Sequence, residues 1–219
     1  MKNPLIATLV AFTAACPLQA AIILVDFGPS SGNTTGTPDT WNNFNGFAAG
    51  SNQALNTSTN AASNYTLTLN GAVNHLNDDP APAAPTSPPA PFTPFSVTRD
   101  GIFTTATTTI TLSGLEAGLT YSISLYSYVN RDSTRLTRFA IDGTNIDVEP
   151  ARLAGATSGA VATFSNITPT AGSITITASS QASTNWILNA MSISYVPEPS
   201  SAILALSGAG LFCIRRKRA

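Results

Sequence analysis

The chain reads as an all-β protein, a single antiparallel β-sandwich of jelly-roll type spanning residues 21–196. Two observations carry that reading. Apolar residues alternate with Ser or Thr at period two in segment after segment, as strands with one wet face require. Turn dipeptides separate those segments, and no long stretch repeats at the helical period.

Residues 21–27 (AIILVDF) form a nearly continuous apolar run and are predicted to be a central strand. Tyr65–Leu69, Thr109–Leu112, Tyr121–Leu125, Ser173–Thr177 and Met191–Tyr195 alternate cleanly. Fainter strands are expected at Arg138–Ile141, Asn145–Val148 and Ala160–Phe164, giving nine or ten in all. Ser113-Gly114, Ala117-Gly118, Asp142-Gly143, Pro169 and Ala171-Gly172 mark the turns. Thr120–Val129 and Arg138–Asn145 are expected to pair as a hairpin across a loop carrying Arg131 and Asp132. Asp78–Pro94 holds seven of the fifteen prolines, so an extended surface loop is expected there. An interdomain linker at that point would leave residues 21–77 to fold alone, which so short a piece without disulfides does poorly.

Both ends differ from this body. Lys2, the apolar Leu5–Ala15 and the small-residue site Leu18-Gln19-Ala20 form a secretory signal helix over residues 1–20, cleaved after Ala20 or Ala21. Lipoprotein processing at Cys16 is the competing reading. The other end joins Val196, Pro197, Glu198 and Pro199 to an apolar stretch and the basic stop Arg215, Arg216, Lys217 and Arg218. The two prolines hold Glu198 in an extended, accessible backbone. Residues 199–214 would span roughly 24 Å as a short transmembrane helix, less than a comfortable span, which suits a transient tether.

This tail resembles the PEP-CTERM sorting signal of Gram-negative bacteria. The resemblance implies an exosortase-type membrane protease as partner, with Pro-Glu-Pro as its recognition motif. It also implies export, transient tethering to the inner membrane, and a final place on the cell surface or in a biofilm matrix. The opening Ile22–Gly28, Trp41-Asn42-Asn43 and the closing Trp186–Ile193 are similar to jelly-roll, galactose-binding-like domains of exported PEP-CTERM proteins.

The remaining composition narrows function. The chain has ten basic and eleven acidic residues, but five of the bases (Lys2, Arg215, Arg216, Lys217, Arg218) and Glu198 lie in the terminal segments. Residues 21–196 therefore carry ten acids against five arginines, a poor match to nucleic acid. Both cysteines, Cys16 and Cys213, are also terminal, so the body has neither disulfides nor thiol chemistry. The single histidine, His75, has no recognisable catalytic partner, and Asp78-Asp79 and Asp142/Asp147/Glu149 lie in turn or loop contexts. No catalytic residue is assigned. A non-catalytic surface or matrix protein associated with extracellular polysaccharide is expected, and a dedicated carbohydrate-binding module or a small glycan hydrolase are the alternatives. Ligand-binding candidates are Trp41, Asn42, Asn43, Tyr126, Tyr128, Arg131, Asp132 and Arg135, which combine aromatic platforms with hydrogen-bonding groups. Tyr126 and Tyr128 are expected to share a strand face opposite Tyr121, Ile123 and Leu125. No cofactor is required, though Asp26, Asp39, Asp147 and Glu149 supply oxygens suited to a structural calcium.

Overall fold

The computed structural model describes residues 21–28, 38–77, 88–129, 135–150, 159–182 and 184–196. The signal helix (1–20) and the tail (197–219) lie outside the described residues. Within them the chain is all-β, and its one helix, α1 (Phe95–Arg99), is a single short turn. No helix among the described residues is long and apolar enough to cross a membrane.

Two large sheets form the sandwich. The first has the order β11 (Ala160–Ile167), β8 (Thr120–Ser127), β14 (Ala190–Val196), β1 (Ala21–Phe27), β2 (Asn42–Phe44). The second runs β10 (Thr144–Val148), β9 (Thr137–Ile141), β12 (Ser173–Ser180), β7 (Thr108–Ser113), β4 (Ala62–Leu69), β3 (Ser51–Asn56). A small third sheet joins β13 (Trp186–Leu188), β6 (Asp100–Thr104) and β5 (Asn74–Asn77). All pairs are antiparallel except β1 with β2. Strands on either side of the Pro-rich segment share sheets, β4 with β7 and β5 with β6.

Period-two alternation explains the core. Ile110 and Leu112 of β7, Leu67 and Leu69 of β4, Ile174 and Ile176 of β12, and Ile123 and Leu125 of β8 all point between the large sheets. Burying a side chain of this size contributes about 1.5–3 kcal/mol. The continuous run of β1 has a different cause, because that strand is covered on both faces. Ile23 and Val25 enter the main core, while Leu24 packs into a second cluster outside the first sheet.

The expected pairing of Thr120–Val129 with Arg138–Asn145 does not form. β8 pairs with β14 and β11, whereas β9 lies in the other sheet between β10 and β12. The intervening segment thus crosses from one sheet to the other. The hairpin that does form is β9–β10, through Asp142 and Gly143 at φ 48° and 79°. Positive φ at both central residues matches the twist of the flanking strands, and the Asp-Gly pair favours it. The Pro-rich segment also differs at its described end. Phe92 is fully buried in the second cluster, and α1 follows it with Val97 buried beside it.

Three tyrosines close one end of the main core. Tyr65 and Tyr121 meet edge to face with centroids 6.3 Å apart, their hydroxyls 3.5 Å apart, and Tyr195 packs against both. Burial, then the hydrogen bonds of Tyr121 and Tyr195, push the Tyr65 phenol well above its usual range. Burial, then its neighbour Tyr128, does the same for Tyr126. In the unfolded chain both ionise near pH 10. Their contribution to stability is therefore complete below pH 10 and is lost as pH rises further. Denaturant midpoints should fall steeply from about pH 10 upward, with the last tyrosinate absorbance appearing only as the protein unfolds. Full tyrosine ionisation in a still-folded protein would contradict this.

Candidate functional site

The aromatic ligand candidates come together, but inside the protein. Trp41 is 8 % exposed, Tyr126 0 % and Tyr128 3 %. With Leu24, Phe92, Val97 and Ala190 they form the second apolar cluster on the outer face of the first sheet. Phe92 stacks on Tyr126 at 5.2 Å and meets Trp41 at 6.3 Å. Tyr126 and Tyr128 do lie opposite Tyr121, Ile123 and Leu125, as alternation requires. The other tryptophan, Trp186, is fully buried and donates its indole N–H to Ala106 O at 2.7 Å.

Asn42 is a clasp in this structure. Its Nδ2 donates to Leu24 O at 2.9 Å and Asn56 O at 2.8 Å, and its Oδ1 accepts from Asn56 N at 2.7 Å. The side chain thereby ties β1 and β2 of one sheet to β3 of the other. Asn42→Ala should cost about 2–3 kcal/mol, since it strands three buried or half-buried backbone groups. Urea unfolding measures this, and a change below about 0.5 kcal/mol would contradict the clasp. Asn43 pairs in register with Asp26. Arg131 and Asp132 lie outside the described residues, and Arg135 is half-buried.

The carboxylates considered for calcium are dispersed. Asp26 is buried in β1, Asp39 and Glu149 are exposed, and Asp147 on β10 is gripped by Arg138 at 2.7 and 2.8 Å. Among the described residues no three His, Cys, Asp or Glu gather as metal ligands. That guanidinium holds the Asp147 carboxyl below its usual range. His75 packs its ring on Phe47 with centroids 5.3 Å apart.

Two further features face solvent. One is a cleft of about 410 Å³ where the sheet edges β10 and β11 meet, lined by Asp142, Thr144, Thr163, Ser165, Asn166 and Thr168 around Ile146 and Phe164. A register shift between Phe164 and Ile167, with Asn166 at φ 59°, bends β11 at this point. Such bulges re-aim edge side chains. The other is the outer face of the second sheet, where register aligns rows of small polar side chains. Asn52, Thr68, Thr111 and Thr175 form one row. Ala54, Thr66, Ser113 and Ser173 form the next. Neighbours stand about 4.8 Å apart across strands and about 6.8 Å along them. These rows carry no ionisable group. Sequence reasoning identified the alternation but could not align the rows, because register is a long-range property.

β14 ends the described chain, with Val196 paired to Thr120 at the edge of the tyrosine cluster. Residues 196–218 match the family model described as the PEP-CTERM protein-sorting motif. The chain carries a PEP-CTERM sorting signal. The PEP-CTERM motif marks it as an exported protein sorted through the membrane.

No curated protein matches the chain in sequence. Solved structures give distant likenesses to this chain. An exo-beta-1,3-galactanase from Phanerochaete chrysosporium shares 14 % identity over 67 % of this chain and 29 % of its own, with a TM-score of 0.35. A family 35 carbohydrate-binding module from Cellvibrio japonicus shares 14 % over 56 % of this chain and 92 % of its own, with a TM-score of 0.33. The ANXUR1 extracellular domain from Arabidopsis thaliana shares 13 % over 81 % of this chain and 48 % of its own, with a TM-score of 0.44. The chain spans under a third of the galactanase.

Proposed function

We propose that this is an exported, non-catalytic protein of the cell surface or extracellular matrix. An exosortase-type protease processes its tail, and the sandwich then associates with extracellular polysaccharide. The observation that carries the reading is the sorting motif joined directly to a cysteine-free sandwich whose outer face is ruled with uncharged hydroxyl rows. Both tryptophans are buried, so neither offers an aromatic platform to a sugar ring. A flat hydroxyl face suits many weak, exchangeable contacts with a neutral glycan, each worth little because water competes for it.

The test is co-sedimentation of residues 21–196 with purified extracellular polysaccharide. Retention should rise without saturation, fall several-fold for the double variant Thr111→Glu/Thr175→Glu, and ignore calcium. No retention by any polysaccharide would sink the reading. The cleft between β10 and β11 favours a second reading, a dedicated carbohydrate-binding module. Saturable one-to-one binding abolished by the cleft-filling Ser165→Trp would establish that instead.

A further inference from the structure

The two ends of the domain are side by side. Ala21, where β1 begins, pairs with Tyr195, and Val196, where β14 ends, pairs with Thr120. Adjacent strands lie about 4.8 Å apart, so the chain enters and leaves the sandwich at one point. The turns around that point are tied together. Ser58 N donates to Ile22 O at 2.7 Å, Leu115 N to Gly172 O at 3.0 Å, and Glu116 N to the Tyr121 hydroxyl at 3.0 Å.

This end carries few charges, and Asp142 of the β9–β10 turn lines the cleft beside it together with Thr168. Glu116 is the one ionisable side chain in segments 57–61, 115–120 and 168–172. Ile22, 40 % exposed, is the large hydrophobic that stands out among the described residues, and it lies here. Bringing such a surface against lipid headgroups desolvates few charges, and its hydroxyl and amide side chains can bond the headgroups instead.

Chain length then sets the distance. Pro199, where the apolar tail begins, is three residue steps beyond Val196, and each step spans at most about 3.6 Å. The folded end is therefore held within about 11 Å of the membrane-engaging segment. The far end stands a strand length away, about 25 Å for seven or eight residues.

We infer that, before processing, the sandwich stands on the lipid bilayer by the end formed by Ile22 and the 57–61 and 115–120 turns, with its long axis away from the membrane. This rests on the reading of residues 197–219 as a membrane-engaging sorting tail. The occupant of that end is the lipid surface. The processing enzyme accordingly meets a motif with no spacer between it and a folded domain.

The cysteine-free body permits a direct test. Residues 21–219 with Cys213→Ser, carrying either Ala117→Cys or Gln181→Cys, are labelled with a fluorophore and reconstituted into phosphatidylethanolamine/phosphatidylglycerol vesicles containing a headgroup-region quencher. Both positions are exposed, Ala117 beside the exit and Gln181 after the far end of β12. Quenching at Ala117→Cys should exceed that at Gln181→Cys by about threefold or more, given separations of roughly 10 and 35 Å. A flexible insertion of twelve Gly/Ser residues between Val196 and Pro197 should shrink the difference, because it adds roughly 20 Å of reach. Flotation separates the two levels of failure. A protein that does not float with vesicles overturns the sorting-tail reading itself. One that floats with equal quenching at both positions overturns only the docking inference.

Discussion

Glu198→Ala should leave the tail on the protein. Pro197 and Pro199 fix φ on either side of Glu198, so binding this motif as an extended strand in a protease cleft costs little further entropy. Glu198 is then the only ionised side chain between Asn189 and Arg215, and the natural point for charge-assisted recognition. Such a hydrogen bond contributes about 1.5–3 kcal/mol. Its loss corresponds to about a 10- to 100-fold slower processing rate. In pulse-chase labelling, the variant should persist as a membrane-bound species heavier by the tail. Release at the wild-type rate would remove the basis for assigning recognition to this carboxylate. Glu198→Gln, which keeps shape and removes charge, separates the two contributions.

Asn189→Ala should be the most damaging single substitution in the described body. Asn189 lies between β13 and β14, is fully buried, and joins the first sheet to the third. Its Nδ2 donates to Asp100 O at 2.6 Å and Thr98 O at 3.4 Å, while its Oδ1 accepts from Tyr128 N at 2.6 Å. Its backbone bonds Tyr126 O and Phe27 N. Alanine would strand three buried backbone groups and leave a small cavity, costing about 3–5 kcal/mol. Gly101 makes the site unforgiving, since a Cβ there would lie 2.7 Å from Leu188 O and 3.0 Å from Asn189 Nδ2. Ser127→Ala, which loses one 2.6 Å bond to Ile187 O, should cost about 1–2 kcal/mol and serves as the nearby reference. Equilibrium urea unfolding of 21–196 reads both. An Asn189→Ala cost no larger than that of Ser127→Ala would overturn the joint.

Legibility varied with how each element is buried. β4, β7, β8, β12 and β14 were readable because each has one face in the core and one in water, which writes itself as alternation. β3 (SNQALN) escaped because only Leu55 of its six residues is buried. β2, β5, β6 and β13 are three to five residues long, too short to show a period. The β8–β9 hairpin failed because nearness in sequence was taken for nearness in a sheet, while the chain there changes sheets. At the candidate site, alternation correctly separated Tyr126 and Tyr128 from Tyr121, Ile123 and Leu125. It could not reveal that Trp41 and Phe92, from distant segments, would cover that second face. No local pattern distinguishes Asn189 from an ordinary surface asparagine.

The sequence by itself determined the sorting address at 196–218, the absence of thiols from the body, its acidic balance and its β class. These are properties of composition and of neighbours along the chain. Tertiary structure alone decided that β1 and β14 lie side by side, that Trp41 and Tyr126 are interior, and that threonines from three strands align into rows. The reason is physical. Alternation specifies which way each side chain points, but partner and register are chosen by packing between segments far apart in sequence.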